Sequence, residues 1–167
     1  MCKAIDKVPR DGRIIIYCTR ICDVEDMLEY LVGECEISPA ETTICHSKLH
    51  DRQSQEERFL SGEARIMVAT SAFGMGVHIP NIRLVIVSQL PFSILAFYQM
   101  AGRAGRDGEK AKALLLYNGN DYQTNLDIIS AKDEYAVQAV DALYALCQSD
   151  DDLHTQVIDY LLGKAGV

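Results

Sequence analysis

Ile66-Met67-Val68-Ala69 runs straight into Thr70-Ser71-Ala72-Phe73-Gly74-Met75-Gly76, and the reading of this stretch decides the fold. Arg65 to Ala69, with four apolar residues in a row, reads as a strand covered on both faces. The Thr-Ser pair and the Gly-x-Gly turn then expose hydroxyls and backbone N–H groups at the carboxyl end of that strand. Such groups suit the oxygens of a phosphate. A Gly-x-Gly turn alone is a weak signal, and a tight turn without a ligand is the plainer reading. Its surroundings therefore matter.

Working outward, the pattern alternates. Arg13 to Cys18 is a β-branched strand entered from the turn sequence Pro9-Arg10-Asp11-Gly12. Val24, Met27, Leu28, Leu31 and Val32 follow at helical spacing, predicting a helix over residues 21–33 that ends at Gly33. Thr42 to Cys45 is a second strand. Asp51 caps a helix expected to turn Phe59 and Leu60 inward before Ser61-Gly62. Ile82 to Val87 and Ala111 to Tyr117 are further strands, with a helix from Pro91 through Tyr98 between them. Strands alternating with helices indicate an α/β domain: a mainly parallel sheet in an α/β/α sandwich, with ligands beyond the carboxyl ends of the strands.

The pattern changes at about residue 119, where a helical extension begins. Residues 134–147 are expected to bury Val137, Val140, Leu143, Tyr144 and Cys147, and residues 153–162 to bury Leu153, Val157, Ile158, Leu161 and Leu162. Asp150-Asp151-Asp152 caps the last helix.

Composition bounds the function. The chain of 167 residues is 49% hydrophobic and 24% charged, ordinary for one globular domain with an appendage. No apolar run reaches membrane-span length and the start lacks a signal-peptide stretch. The six cysteines form no Cys-x-x-Cys pair. They predict a reducing, intracellular setting without a disulfide framework, with Cys18 and Cys45 as buried free thiols. The net charge of −8 looks wrong for a nucleic-acid binder, but residues 118–167 hold two Lys/Arg against nine Asp/Glu. The acidity belongs to the tail, and the front segment can carry a local basic site.

That basic site is Gln99-Met100-Ala101-Gly102-Arg103-Ala104-Gly105-Arg106-Asp107-Gly108. Continued as a helix, it sets Gln99, Arg103 and Arg106 at i, i+4 and i+7 on one stripe of forked hydrogen-bond donors. The bland alternative is a basic helix end with a glycine stop. Standing one strand and one helix after the Gly-x-Gly turn, the segment instead reads as part of a shared anion site, gathered with that turn on one rim.

The chain resembles the second RecA-like motor domain of superfamily 2 helicases, and within them the RecQ family. Ile14 to Thr19 looks like helicase motif IV, and Val68 to Gly76 is similar to motif V. Tyr98 to Gly108 is similar to motif VI. Cys45-His46-Ser47-Lys48-Leu49, Arg52 and Phe59 to Glu63 resemble the segment before motif V. The resemblance implies a three-layer RecA-like domain over residues 1–118 of an ATP-dependent, 3'-5' DNA helicase of repair and recombination. ATP with Mg²⁺ would be shared with a first RecA-like domain outside this chain. Arg103 and Arg106 would act as arginine fingers and Gln99 would couple them to the domain interface. Gly74, Gly76 and His78 would lie against the nucleotide. Thr19, Ser47, Thr70 and Ser71 would hold phosphates of a single DNA strand beside the duplex. In a eukaryote the resemblance implies a nuclear protein.

Two positions depart from the family. His78 stands where an Asp is expected to accept from the ribose, and Met100 stands where Glu is common. They keep open a non-catalytic helicase-like module that binds nucleic acid or a helicase partner. Neither Gly-x-x-x-x-Gly-Lys-(Ser/Thr) nor Asp-Glu-x-His occurs, so the chain is expected to be a fragment, inactive by itself. Residues 119–167 resemble the start of the family's zinc-binding region. With only Cys147 and His154 on offer there, no zinc is expected. His46 and His50 at i, i+4 read as a loop pair and not a metal site.

Overall fold

A computed structural model describes residues 1–74, 78–129 and 133–164. In chain order it shows helix α1 (Cys2–Ile5), strand β1 (Arg13–Tyr17), helix α2 (Ile21–Gly33) and a 3₁₀ turn at Pro39–Glu41. There follow β2 (Thr42–Cys45), α3 (Arg52–Ser61), β3 (Ile66–Ala69), β4 (Ile82–Val87), α4 (Ile94–Ala101) and β5 (Lys112–Leu115). Helices α5 (Gly119–Ile128), α6 (Glu134–Gln148) and α7 (Leu153–Leu161) complete the chain. The five strands form one sheet in the order β2-β3-β1-β4-β5, and all four pairings are parallel. This is the expected α/β fold with a parallel sheet.

The chain divides into two units: Met1–Ser88 with Met100–Leu116, and Gln89–Gln99 with Tyr117–Val167. In the first unit the alternation of each strand splits its side chains between two faces. Ile14, Ile16, Ile66, Val68, Leu84 and Ile86 make one core with Val24 and Leu31 of α2. Ile15, Tyr17, Met67, Ala69 and Val85 take the opposite face and are equally buried. Phe59 of α3 meets Phe73 edge-on there, ring centroids 5.8 Å apart. Gly62, in the left-handed region at φ +86°, ends α3 as its sequence predicts.

The second unit is helical. Asn118 and Asp121 form a capping box that starts α5, and Asp121 also accepts from the Leu90 amide at 3.2 Å. Buried Asn125 donates to the Leu90 carbonyl at 2.8 Å. Tyr122 stacks on Tyr144 of α6, centroids 4.6 Å apart. Asp152 caps α7 by accepting from the Thr155 amide at 2.9 Å.

Several expectations need correction. Helix α4 starts at Ile94, three residues after Pro91, because the Ser93 hydroxyl accepts from the Ala96 amide. It ends at Ala101, so no helical stripe joins Gln99 to Arg103 and Arg106. Leu60 is exposed, since only Phe59 lies on the sheet-facing side of α3. Leu161 and Leu162 are exposed at the fraying end of α7. Val137, Tyr144, Cys147, Leu153 and Ile158 are only partly covered. Asp51 stands before α3 but makes no capping bond; its carboxylate accepts from Gln55 Nε2 instead. Cys2 and Cys35 form a disulfide, contrary to the cysteine reading, because α1 docks beside the end of α2. Cys18 and Cys45 are buried free thiols as predicted.

Candidate functional site

Strands β1, β2 and β3 end at Tyr17, Cys45 and Ala69, and their ladder continues one step further. The Cys18 amide donates to the Ala69 carbonyl at 2.9 Å, and the Thr70 amide to the Cys45 carbonyl at 3.1 Å. Thr19, Ser47, Thr70 and Ser71 therefore leave the sheet side by side from three adjacent strands. Neighbouring strands lie about 4.8 Å apart, so this edge suits one extended polyanion. Ser47 and Ser71 are exposed, and Thr19 and Thr70 half-buried. Arg52 braces the edge from α3: its Nε holds Glu56 at 2.7 Å and its Nη2 reaches the Ala72 carbonyl at 3.4 Å. His46 is not the loop-rim residue expected. It is 5% exposed, and neither ring nitrogen has a hydrogen-bond partner.

Beyond Thr70 the chain turns back, with the Phe73 amide donating to the Thr70 carbonyl at 3.0 Å. Buried Phe73 anchors this turn, and Gly74 follows at φ +94°. Arg103 Nη1 donates to the Gly74 carbonyl at 2.6 Å. A Cβ on Gly74 would sit 2.6 Å from that same nitrogen, so glycine is what allows the arginine its place. Gly76 lies outside the described residues, as do Met75 and Val77. His78 is exposed.

The arginine turn is pinned on both sides of Arg106. The Gly105 amide donates to the carbonyl of Ile82, the first residue of β4, at 2.9 Å, and Asp107 pairs with Arg83 through two hydrogen bonds. The Arg83 guanidinium holds the Asp107 carboxyl below its ordinary range. Arg106 itself is exposed, its Nε donating to the Gly102 carbonyl at 3.2 Å. Arg103 is half-buried, and its Nε has no partner. Together with Ile15, Phe73, Ile79 and Ile82 the two arginines line a cavity of about 10 Å³. The arginines therefore lie on a face of the sheet, anchored at the start of β4. Arg103 joins them to the Gly74 turn, which leaves β3 just beyond Thr70. Gln99 is exposed on α4 and belongs to the second unit.

Tyr17 was missed by the sequence reading. Burial pushes its hydroxyl up to about 12, with Arg103 and then Arg106 pulling the other way, and the hydroxyl has no hydrogen-bond partner. A tyrosine at a strand end looks like any core aromatic, and no spacing rule relates it to arginines some ninety residues later. Among the described residues no three His, Cys, Asp or Glu side chains converge, and no helix is long and apolar enough to cross a membrane.

Residues 1–108 match the helicase conserved C-terminal domain. The chain is 42% identical over 113 residues to the ATP-dependent DNA helicase RecQ of Bacillus subtilis, covering 66% of this chain and 19% of that protein. It is 36% identical over 131 residues to RecQ of Pasteurella multocida, covering 77% of this chain and 20% of the relative. A solved structure of S. cerevisiae Dbp5 matches 96% of this chain and 40% of its own at TM-score 0.58 and 18% identity, a likeness of fold. The chain belongs to the helicase C-terminal domain family. Its place there is with the RecQ-like helicases of superfamily 2. It spans about a fifth of the length of these curated relatives.

Proposed function

We propose that residues 1–118 are the second motor domain of an ATP-dependent 3'-5' DNA helicase, and that residues 119–167 begin its helical extension. The observation that carries this reading is the pinned arginine turn, which presents Arg106 to solvent on a backbone fixed at Gly105 and Asp107. An exposed guanidinium held in this way is a preorganised donor for anionic oxygen, and Arg103, whose Nε is buried without a partner, stands beside it. These donors fit the phosphates of ATP with Mg²⁺ held mainly by a first RecA-like domain. When bound, that nucleotide supplies the phosphoryl group whose transfer powers the motor.

Within this chain Arg106 is the residue that reaches out. Arg103 ties the Gly74 turn to the arginine turn and joins it at the phosphates. Gln99 relays their state, while Gly74, Gly76 and His78 border the nucleotide. Thr19, Ser47, Thr70 and Ser71 hold phosphates of one DNA strand at the carboxyl edge. Such binding follows the backbone and falls with salt.

The test is reconstitution. The isolated chain is expected to hydrolyse no ATP, and mixing it with a RecQ first RecA-like domain is expected to restore DNA-stimulated hydrolysis. Hydrolysis by the isolated chain that Arg106→Ala abolishes would overturn the half-site reading. His78 and Met100 favour a second reading, a module that binds nucleic acid or a helicase partner without turnover. Binding to the first domain and to DNA without restored hydrolysis selects it.

A further inference from the structure

Each of the three strands that end at the hydroxyl edge is followed by a polar pair. These are Thr19-Arg20 beyond β1, Ser47-Lys48 beyond β2 and Thr70-Ser71 beyond β3. Hydroxyls are neutral donors, whereas a polyanion gives up its counterions only to cations. Arg20, Lys48 and Arg52 are the cationic side chains that the sequence brings to this edge.

Two of the three are already engaged. Arg20 grips the Asp23 carboxylate through Nε at 3.0 Å and Nη2 at 2.6 Å. Arg52 gives its Nε to Glu56 at 2.7 Å and turns Nη2 to the Ala72 carbonyl. Lys48 is exposed and makes no ion pair among the described residues. Asp51, the carboxylate nearest to it in sequence, accepts instead from Gln55 Nε2 at 2.7 Å.

The backbone presents this lysine on a fixed base. The Leu49 amide donates to the His46 carbonyl at 3.2 Å, closing a turn whose two central residues are Ser47 and Lys48. His46 at the foot of the turn is 5% exposed, so the turn is seated in the protein while its corner faces outward. Strand β2 is the outermost strand on its side of the sheet. Lys48 therefore stands at one end of the row that Ser47, Thr70 and Thr19 form in the strand order β2-β3-β1.

We infer that Lys48 is the charged anchor of the hydroxyl edge, its ammonium pairing with a phosphate of the DNA strand next to the one that Ser47 holds. The inference rests on the reading of that edge as a single-strand path, and adds the residue that gives the path its salt dependence. One phosphate neutralised on a single strand contributes about −0.7 to the slope of log K against log salt. The hydroxyls contribute affinity without slope.

The probe is a fluorescein-labelled oligothymidine of about 12 residues, titrated with the whole chain from about 50 mM to about 1 M salt. Lys48→Gln is expected to flatten the slope by about 0.7, a roughly eightfold weakening at the low-salt end that fades toward the high-salt end. Lys48→Arg is expected to keep the slope. Lys112→Gln removes the same charge from exposed β5 and is expected to leave it unchanged. Thr70→Ala is expected to weaken binding by roughly tenfold at every salt concentration. Lys48 is exposed, so the urea midpoint of Lys48→Gln stays at the parent's value. An unchanged slope in Lys48→Gln while Thr70→Ala weakens binding overturns the inference and leaves the edge reading standing. Equal flattening by Lys112→Gln overturns it too, because any lost charge would then serve. No effect of Thr70→Ala, or no binding by the parent chain, overturns the edge reading and this inference with it.

Discussion

A Cβ placed on Gly74 would lie 2.6 Å from Arg103 Nη1, on a backbone already at φ +94°. Gly74→Ala is therefore expected to cost roughly 1–3 kcal/mol of stability, read from urea unfolding, and to shift the Arg103 Nε–H resonance as the guanidinium leaves the Gly74 carbonyl. Arg106→Ala touches no such contact. Its melting temperature should match the parent while hydrolysis in the reconstituted enzyme falls by roughly 10³-fold. Tyr17 sets a pH dependence. Its hydroxyl is raised from 10.0 to about 12, so the folded state holds that proton more tightly than the unfolded chain. The stabilisation is complete below pH 10 and is lost as the pH rises toward 12. Cys18 and Cys45, raised to about 11 and about 12, add to the loss from pH 9 upward. Tyr17→Phe should keep its pH 8 stability and lose less of it at pH 11 in parallel urea titrations. The sequence names Arg103 and Arg106 because glycine-spaced arginines are rare. Tyr17 escapes it because its role exists only once the turn is laid over β1.

Among the elements, the strands were the most legible, because unbroken runs such as Ile14-Ile15-Ile16 leave no helical alternative of that length. Their limits were read to within one or two residues. The helix ends were less so. A helix carried from Pro91 through Arg106 requires Gly102 and Gly105 to remain helical, at about 1 kcal/mol each relative to Ala, and the chain leaves the helix at Ala101 instead. Helix α5 was not singled out as an element because its start depends on two polar side chains and few apolar positions mark its face. Asp121 is central there, accepting from the amides of Leu90 and Asn118. Asp121→Ala leaves the Leu90 amide buried without a partner, and should cost roughly 1–3 kcal/mol in the unfolding of the second unit, followed by hydrogen exchange at Leu90.

At the scale of the molecule, the strand order β2-β3-β1-β4-β5 is what no local pattern contains, yet it makes Thr19, Ser47 and Thr70 neighbours. The Cys2–Cys35 bridge is another long-range fact, closing a separation of 33 residues. Reduction, or Cys2→Ser, should lower the stability of the first unit by roughly 3–4 kcal/mol in urea, and reductant should then have no further effect on the variant. The pinning of Gly105 to Ile82 has one more consequence. It holds Arg103 where the guanidinium ties the Gly74 turn, just beyond Thr70, to the start of β4.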